Sequence, residues 1–422
     1  MRRWIRAMLS ILKRKGIRGI FAEVEKMDSQ IDILAFYDFI IKASDTVFYD
    51  SEREQLAGED SLILNWVIPE MGEGSGGHVN IFRFMQMLRQ MGVKNRLYLF
   101  QCSRLDTDKK LKDFIGQYYD LDTKEIEISH TTDGMKPAHA VIATSWQTAY
   151  FVKNFQKTVS KFYFVQDFEP YFYAAGSEYL FAEHTYRFGL RGLTAGDWLR
   201  QKLSEEYGMQ ADSFRFSYNK NIYRPGKKRD DVRRLFFYAR PVTPRRAFEL
   251  GLLALAITAE AVKDIEVVFA GWDVGGYKIP FRHKNAGSLR PEQLSALYAQ
   301  CDMCLVISCT NLSLLPLEIM ASNSVAVCTK GESSSWLVNE ENAIMTDSDP
   351  RSIADTLVYY LRHREKLDEI RRKGLAFAQS SSWEAQAQKV YGAIKKGVEE
   401  DGKNQGIDYR GKWFYRNESG GF

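Results

Sequence analysis

A chain of 422 residues has room for two or three domains at roughly 150 residues each. With 45% hydrophobic residues, 27% charged residues and only 10 prolines, it is neither disordered, collagen-like nor a disulfide scaffold. Its net charge of +4 is uneven: residues 1–20 carry a local +7 and no acid, which leaves the rest at −3 and poorly suited to a nucleic-acid groove.

That basic segment holds Arg2, Arg3, Arg6, Lys13, Arg14, Lys15 and Arg18. On a helical wheel Trp4, Ile5, Met8, Leu9 and Leu12 share one face with the basic residues beside it, the pattern of a helix lying on an anionic membrane surface. A helix packed on its own protein is the alternative. The segment lacks the apolar run and cleavage site of a secretory signal, and no apolar stretch approaches the roughly 18 to 20 residues that a membrane span needs. Residues 1–50 are therefore taken as an amphipathic arm of a cytoplasmic protein, with peripheral contact to the inner face of the plasma membrane expected through residues 1–20.

From Ser61 onward short apolar runs alternate with helix-length stretches. Predicted strands cover 62–68, 97–102, 141–144, 162–166, 193–195 and 214–218 in a first series. A second series covers 235–239, 265–270, 303–307, 325–328 and 343–345. Continuous apolar strands between helices imply buried parallel sheets, so the fold class is α/β with two doubly wound Rossmann-like domains. The basic run after Tyr223-Arg224-Pro225-Gly226 marks the boundary. Domains are expected at 51–222 and 223–382, with a helix and tail at 383–422 returning to the first domain. Segments 350–362, 364–379 and 383–400 read as helices, and Trp413, Phe414 and Tyr415 could anchor the tail.

Five cysteines, Cys102, Cys301, Cys304, Cys309 and Cys328, read as reduced and buried. Cys301-x-x-Cys304 has the spacing of half a zinc site but no second ligand pair, and Cys304 sits in a predicted core strand, so packing is expected. His184 reads as a satisfied histidine rather than a base.

Three segments carry chemistry. Gly72-Glu73-Gly74-Ser75-Gly76-Gly77 follows the first strand and opens an apolar helix, where glycine lets backbone N–H groups approach a phosphate. A ligand-free glycine turn is the plain alternative. A dinucleotide site would also want an acid ending the second strand, and that strand ends in Gln101-Cys102. In the second series, Arg240 leaves the end of the first strand and Arg245 follows five residues on, placing two guanidinium groups where α/β folds bind ligands. Such groups stay charged and contact diphosphates bidentately, although a solvated basic turn would read the same. Finally, Leu315-Pro316-Leu317-Glu318-Ile319-Met320-Ala321 starts a helix with Glu318 in its first turn, where a carboxylate can accept from a ribose or complement the helix dipole.

Together these segments resemble the GT-B glycosyltransferases of retaining family four over about residues 60–395. Ala239-Arg240 with Arg245 is similar to that family's G-R-x4-K pattern, 315–321 to its L-P-x-L-E-A-M-A segment, and Gly76 and Gly77 to its N-domain glycine loop. The resemblance implies a central cleft between the domains. It also implies that Arg240 and Arg245 hold the donor diphosphate, that Glu318 binds the nucleotide ribose, that Thr310, Asn311 and Leu312 complete the donor site, and that Leu289 faces the nucleobase. Two departures stand out. The first glutamate of the family's E-x7-E is Thr310 here, and the strand-end histidine is replaced by Gln166, followed by Asp167, so these two residues are the candidates beside the anomeric carbon. The run from Phe162 to Tyr173 is most similar to a rhamnosyltransferase subgroup that builds bacterial surface polysaccharides, including S-layer glycans. The implied reaction is rhamnose transfer from dTDP-rhamnose to a hydroxyl of a growing, possibly lipid-linked glycan, with retention. No metal ion or other cofactor is expected, because the paired arginines and the Gly76–Gly77 backbone offset the diphosphate charge. Closure over the donor implies a hinge near residue 222. An NAD-dependent oxidoreductase using Gly72, Gly74 and Gly77, a GT-B transferase with another nucleotide-sugar, and a catalytically inactive binding protein are the alternatives.

Overall fold

The computed structural model describes residues 32–44, 49–227 and 232–407. The readings of residues 1–20 and of Trp413, Phe414 and Tyr415 lie outside the described residues. The chain divides into two compact units, residues 1–44 and 45–422. In the smaller unit, Asp32 caps the short helix Ile33–Phe36 by accepting from Ala35 N–H at 2.9 Å, and Asp38–Ile41 forms a second turn. Ile33, Leu34, Phe36 and Ile41 are all more than half exposed there. No described helix is long and apolar enough to cross a membrane.

The larger unit holds two parallel sheets. The first contains β1 (Ile63–Pro69), β2 (Lys94–Phe100), β3 (Glu127–Ser129), β4 (Ala138–Ala143), β5 (Thr158–Val165), β6 (Arg191–Ala195) and β7 (Ala211–Phe214) in the order β3-β2-β1-β4-β5-β6-β7. The second contains β8 (Arg233–Tyr238), β9 (Ile265–Ala270), β10 (His283–Gly287), β11 (Met303–Val306), β12 (Val325–Thr329) and β13 (Ile344–Thr346) in the order β10-β9-β8-β11-β12-β13. The sheets are doubly wound, as the alternating apolar runs imply. Winding reverses between β1 and β4 in one lobe and between β8 and β11 in the other, and such reversals leave a crevice at the strand C-termini.

The expected strand 214–218 is corrected: β7 ends at Phe214, and Phe216 and Tyr218 leave the sheet to enter the core. β3 and β10 were not anticipated. Burial of all five cysteines is also corrected. Cys301, Cys304 and Cys328 are buried, Cys102 is half-buried and Cys309 is exposed, all as free thiols.

Among the described residues the chain crosses between lobes twice. After the helices Pro350–Arg362 and Arg364–Ser380, Ser382 caps the long helix Trp383–Asn404, which packs on β5, β7 and the helix Gly76–Gln90. Arg191 fastens it through Asp401 at 2.6 Å and Glu400 at 2.9 Å. The lobes also meet through aromatic packing. Gly196, with φ of +94°, leaves room for the Trp336 indole, and a Cβ there would lie 2.3 Å from the ring. Phe216 closes the same contact, its ring 5.3 Å from Trp336. A single buried apolar cluster therefore runs through both lobes.

Candidate active site

Both crevices open onto one cavity of about 600 Å³. Its walls are the segments that follow β1, β4, β5, β7, β8 and β11.

On the first lobe, the glycine loop is held in place by side chains. The Tyr119 hydroxyl donates to Gly72 C=O and accepts from Ser75 N–H, pinning both ends of the turn. Burial drives the His78 imidazole down to about 4, so it is neutral at physiological pH. Its Nε2 lies 3.3 Å from Pro69 C=O, which can only accept, so that nitrogen carries the proton and Nδ1 accepts from the Ser75 hydroxyl at 2.9 Å. Ser75 thus makes no side-chain cap bond to the Gly76–Gln90 helix, and the helix N-terminus faces the cavity with Gly76 and Gly77 lining it.

Gln166 follows β5. Its amide donates to Gly77 C=O at 3.0 Å and accepts from Asn80 at 3.1 Å. Asp167 next to it bridges the lobes. Its carboxylate accepts from the Thr310 hydroxyl at 2.8 Å and from Asn311 N–H at 3.3 Å, while the Asn311 side chain donates to Gln166 C=O at 2.9 Å. Burial raises the Asp167 pKa, and the bonds from Thr310 and Asn311 together with Arg245 and Arg246 oppose the rise. Glu169, two residues on, is buried and accepts from Trp146 N–H at 2.9 Å and the Tyr163 hydroxyl at 2.7 Å. Burial pushes its carboxyl up to about 7.

The second lobe presents cations. Arg240 donates to Gly271 C=O at 3.2 Å and lies 5.9 Å from the Trp272 ring. Arg245 stacks 4.4 Å over Phe172 of the opposite lobe, and its buried Nε has no partner. Arg246, which the sequence reading passed over, is buried and donates to Asn311 C=O at 3.3 Å. It was signalled only by adjacency to Arg245.

The cavity lining thus brings together Gly76, Gly77, Gln166, Asp167, Arg240, Arg245 and Asn311. Thr310 is buried behind it on Asp167, and Leu312 is in the core. Leu289 packs half-buried against the core outside the lining. Glu318 is also outside the lining, and its carboxylate accepts a hydrogen bond from the Tyr223 hydroxyl. Burial pushes Glu318 up to about 7, against the opposing influence of Tyr223 and Arg83. Among the described residues, no three His, Cys, Asp or Glu side chains cluster closely enough to share a metal ion.

The raised carboxyls have a pH consequence. A folded state that prefers Glu169 and Glu318 protonated has that stabilisation in full below the ordinary glutamate value of 4.5 and loses it as pH rises to about 7. His78 and His139, each held down to about 4 by burial, contribute in the opposite sense over the same interval, so the readout is a comparison: Glu318→Gln, which keeps a carbonyl for Tyr223, should make Tm fall less, or rise more, between pH 4.5 and 7 than it does in the parent. A pH dependence of Tm identical in variant and parent would contradict the assignment.

The comparisons with known proteins fit this geometry. The WsaF N-terminal domain model matches residues 82–194 and the WsaF C-terminal domain model matches residues 233–358, one on each lobe. The chain belongs to the WsaF-type GT-B glycosyltransferases. Membership of that family sets aside the NAD-dependent oxidoreductase alternative. The chain is 29% identical over 340 residues to the O-antigen biosynthesis protein RfbC of Myxococcus xanthus, a match that covers 77% of this chain and only 26% of that protein. The chain therefore spans about a quarter of that relative's length. Among solved structures, sucrose-phosphate synthase from Thermosynechococcus elongatus superposes with a TM-score of 0.61 at 11% identity, over 79% of this chain and 98% of that one. Anabaena HepE in complex with UDP superposes with a TM-score of 0.61 at 13% identity, over 79% and 100% of the two chains. At these identities the solved structures show the GT-B fold.

Proposed function

We propose that this WsaF-type chain transfers a sugar from a nucleoside diphosphate donor to a hydroxyl of a bacterial surface polysaccharide. The observation that carries this reading is the single cavity with Arg240 and Arg245 on one wall and the Gly76–Gly77 helix N-terminus on the other. The name of the O-antigen relative supports the polysaccharide, and the HepE complex with UDP supports a nucleotide donor. Rhamnose from dTDP-rhamnose and the S-layer type of glycan rest on the resemblance of the 162–173 segment to rhamnosyltransferases, and retention of configuration rests on the resemblance to retaining family four.

In the reaction, the bond between the anomeric carbon and the diphosphate oxygen breaks while the acceptor oxygen bonds to that carbon, and the acceptor proton passes to the departing phosphate. Charge grows on the diphosphate. Arg240, Arg245 and the first-turn N–H groups are the donors that stabilise it, the electrostatic contribution that usually dominates such catalysis, and no metal ion is required. Leu289 toward the base and Glu318 toward the ribose are proposed on the family resemblance, on the same lobe as Arg240 and Arg245, and closure of the lobes about residue 222 seals the donor in.

Asp167 gives this family member a carboxylate at the sugar end. Thr310 stands where the family has a glutamate, and its hydroxyl grips Asp167 from across the cleft. Asp167→Ala and Thr310→Val both break this contact and should each lower transfer roughly tenfold, and the double variant should lose less than the two single losses combined. Additive losses would separate the two residues. The primary test is transfer of labelled sugar from dTDP-rhamnose, UDP-sugars and GDP-sugars to surface-polysaccharide acceptors. No transfer or donor hydrolysis with any of them would reject the function.

Residues 1–20 are proposed to hold the protein on the cytoplasmic face of the membrane, an idea supported by their +7 charge and by exposed Ile33, Leu34, Phe36 and Ile41. Deleting residues 1–20 should abolish sedimentation with anionic vesicles and spare transfer to a soluble acceptor. Undiminished sedimentation would refute it.

A further inference from the structure

A second cavity, of about 370 Å³, shares no lining residue with the cleft. Besides Asp120, three parts of the chain wall it. They are the later turns of the Gly76–Gln90 helix, the 217–221 segment leading to the second lobe, and Trp383–Glu384, where the chain returns. Both crossings between lobes therefore border it.

Its chemistry is unlike that of the cleft. Arg83 and Lys220 are matched by Asp120 and Glu384, so the charged groups cancel. Amide side chains supply half of the rest. Gln86 and Gln90 line the cavity without side-chain partners among the described residues, each keeping a donor and an acceptor for a ligand. A wall with balanced charge and free amides suits neighbouring hydroxyl groups, which both donate and accept, whereas a phosphate needs surplus positive charge. Trp383 adds an aromatic wall with a buried indole N–H that has no partner, and such unmet donors are rare in folded proteins. The Arg83 guanidinium lies 4.6 Å over that ring. Arg83 also interacts electrostatically with Asp120 in this cavity and with Glu318 of the second lobe, which connects the cavity to the hinge.

We propose that this cavity binds a neutral oligosaccharide stretch of the acceptor glycan, remote from the end that receives the new sugar. The proposal rests on the reading of the chain as a glycan-extending transferase. An enzyme that holds its product polymer at a second point gains affinity for long acceptors without new contacts at the reacting end.

Calorimetric titration of the full chain with short and long neutral rhamno-oligosaccharides tests it. The long oligosaccharide should bind more tightly than the short one. The double variant Gln86→Ala, Gln90→Ala places good helix formers on the partly exposed face of a helix, so it should fold normally. It should lose roughly tenfold in affinity for the long oligosaccharide, about 1.4 kcal/mol, with binding of the short one and of dTDP unchanged. Arg245→Ala should do the reverse, losing dTDP and keeping the long oligosaccharide. Equal binding of both lengths, or a double variant that binds the long one as the parent does, would overturn the proposal, as would a parent that binds neither. If dTDP fails to bind while length-dependent binding sensitive to Gln86 and Gln90 persists, the donor reading fails and this site stands.

Discussion

Replacing Arg245 with alanine is expected to weaken dTDP binding by roughly 30-fold or more, as measured by calorimetry. Removing one partner from a buried charged contact costs about 2 to 5 kcal/mol, and 1.4 kcal/mol is tenfold in affinity. Arg245 is placed for an effect of that size. Its guanidinium lines the cleft, is held flat against Phe172 at 4.4 Å, and has a buried Nε with no protein partner. The side chain is ordered before the donor arrives, so little is lost in positioning it. Arg245→Lys should restore only part of the affinity, because an ammonium keeps the charge but not the planar stack and fork. Arg240→Ala should weaken binding as well. Donor affinity unchanged in both alanine variants would remove the cationic wall from the mechanism.

Gly196→Ala is expected to cost roughly 2 to 5 kcal/mol of stability, the sum of placing a side chain in left-handed backbone and overpacking a full site. At φ of +94° only glycine is comfortable, and the added Cβ would lie 2.3 Å from the Trp336 indole. Because Trp336 comes from the second lobe and packs on Phe216 of the first, the substitution pushes the lobes apart as well as straining a loop. Denaturant midpoints should show the loss, and transfer should fall with it because the cleft depends on the same approach. Combining Gly196→Ala with Trp336→Ala should cost less than the two single losses added together, since the second change opens the space that the first one needs. Strict additivity would mean that the two residues do not share the contact.

The parts legible in the sequence are those in which one stretch of chain carries its own signal. Met303–Val306 is buried at every position, so its continuous apolar run could be read directly as a central strand. The segment 350–362 likewise reads as a helix from its own residues, and in the structure Asp349 caps it. β3 has only three residues and β10 reads His-Lys-Asn-Ala-Gly at a sheet edge, exposed over its first three, so neither carries the apolar pattern of a core strand. Phe216 and Tyr218 mimic a strand because they are buried, but their burial comes from packing rather than from a sheet ladder.

The site divides along the same line. Arg240 and Arg245 sit at fixed spacing after a strand, and their place at the cleft could be inferred locally. The contact between Asp167 and Thr310 joins residues 143 positions apart, and no spacing within either segment announces it. Glu169 is buried beneath Trp146 and Tyr163, and its raised pKa comes from that long-range packing rather than from any local pattern. The pairing of Glu318 with Tyr223 likewise depends on how the crossing segment returns past the second lobe.

The most direct measurement is a crystal structure of the full chain with dTDP bound. The diphosphate is expected between the Gly76–Gly77 helix N-terminus and the guanidinium groups of Arg240 and Arg245, within hydrogen-bond distance of at least one of them. A nucleotide bound away from this cavity, or lying in it with neither arginine in reach, would contradict the proposed donor site.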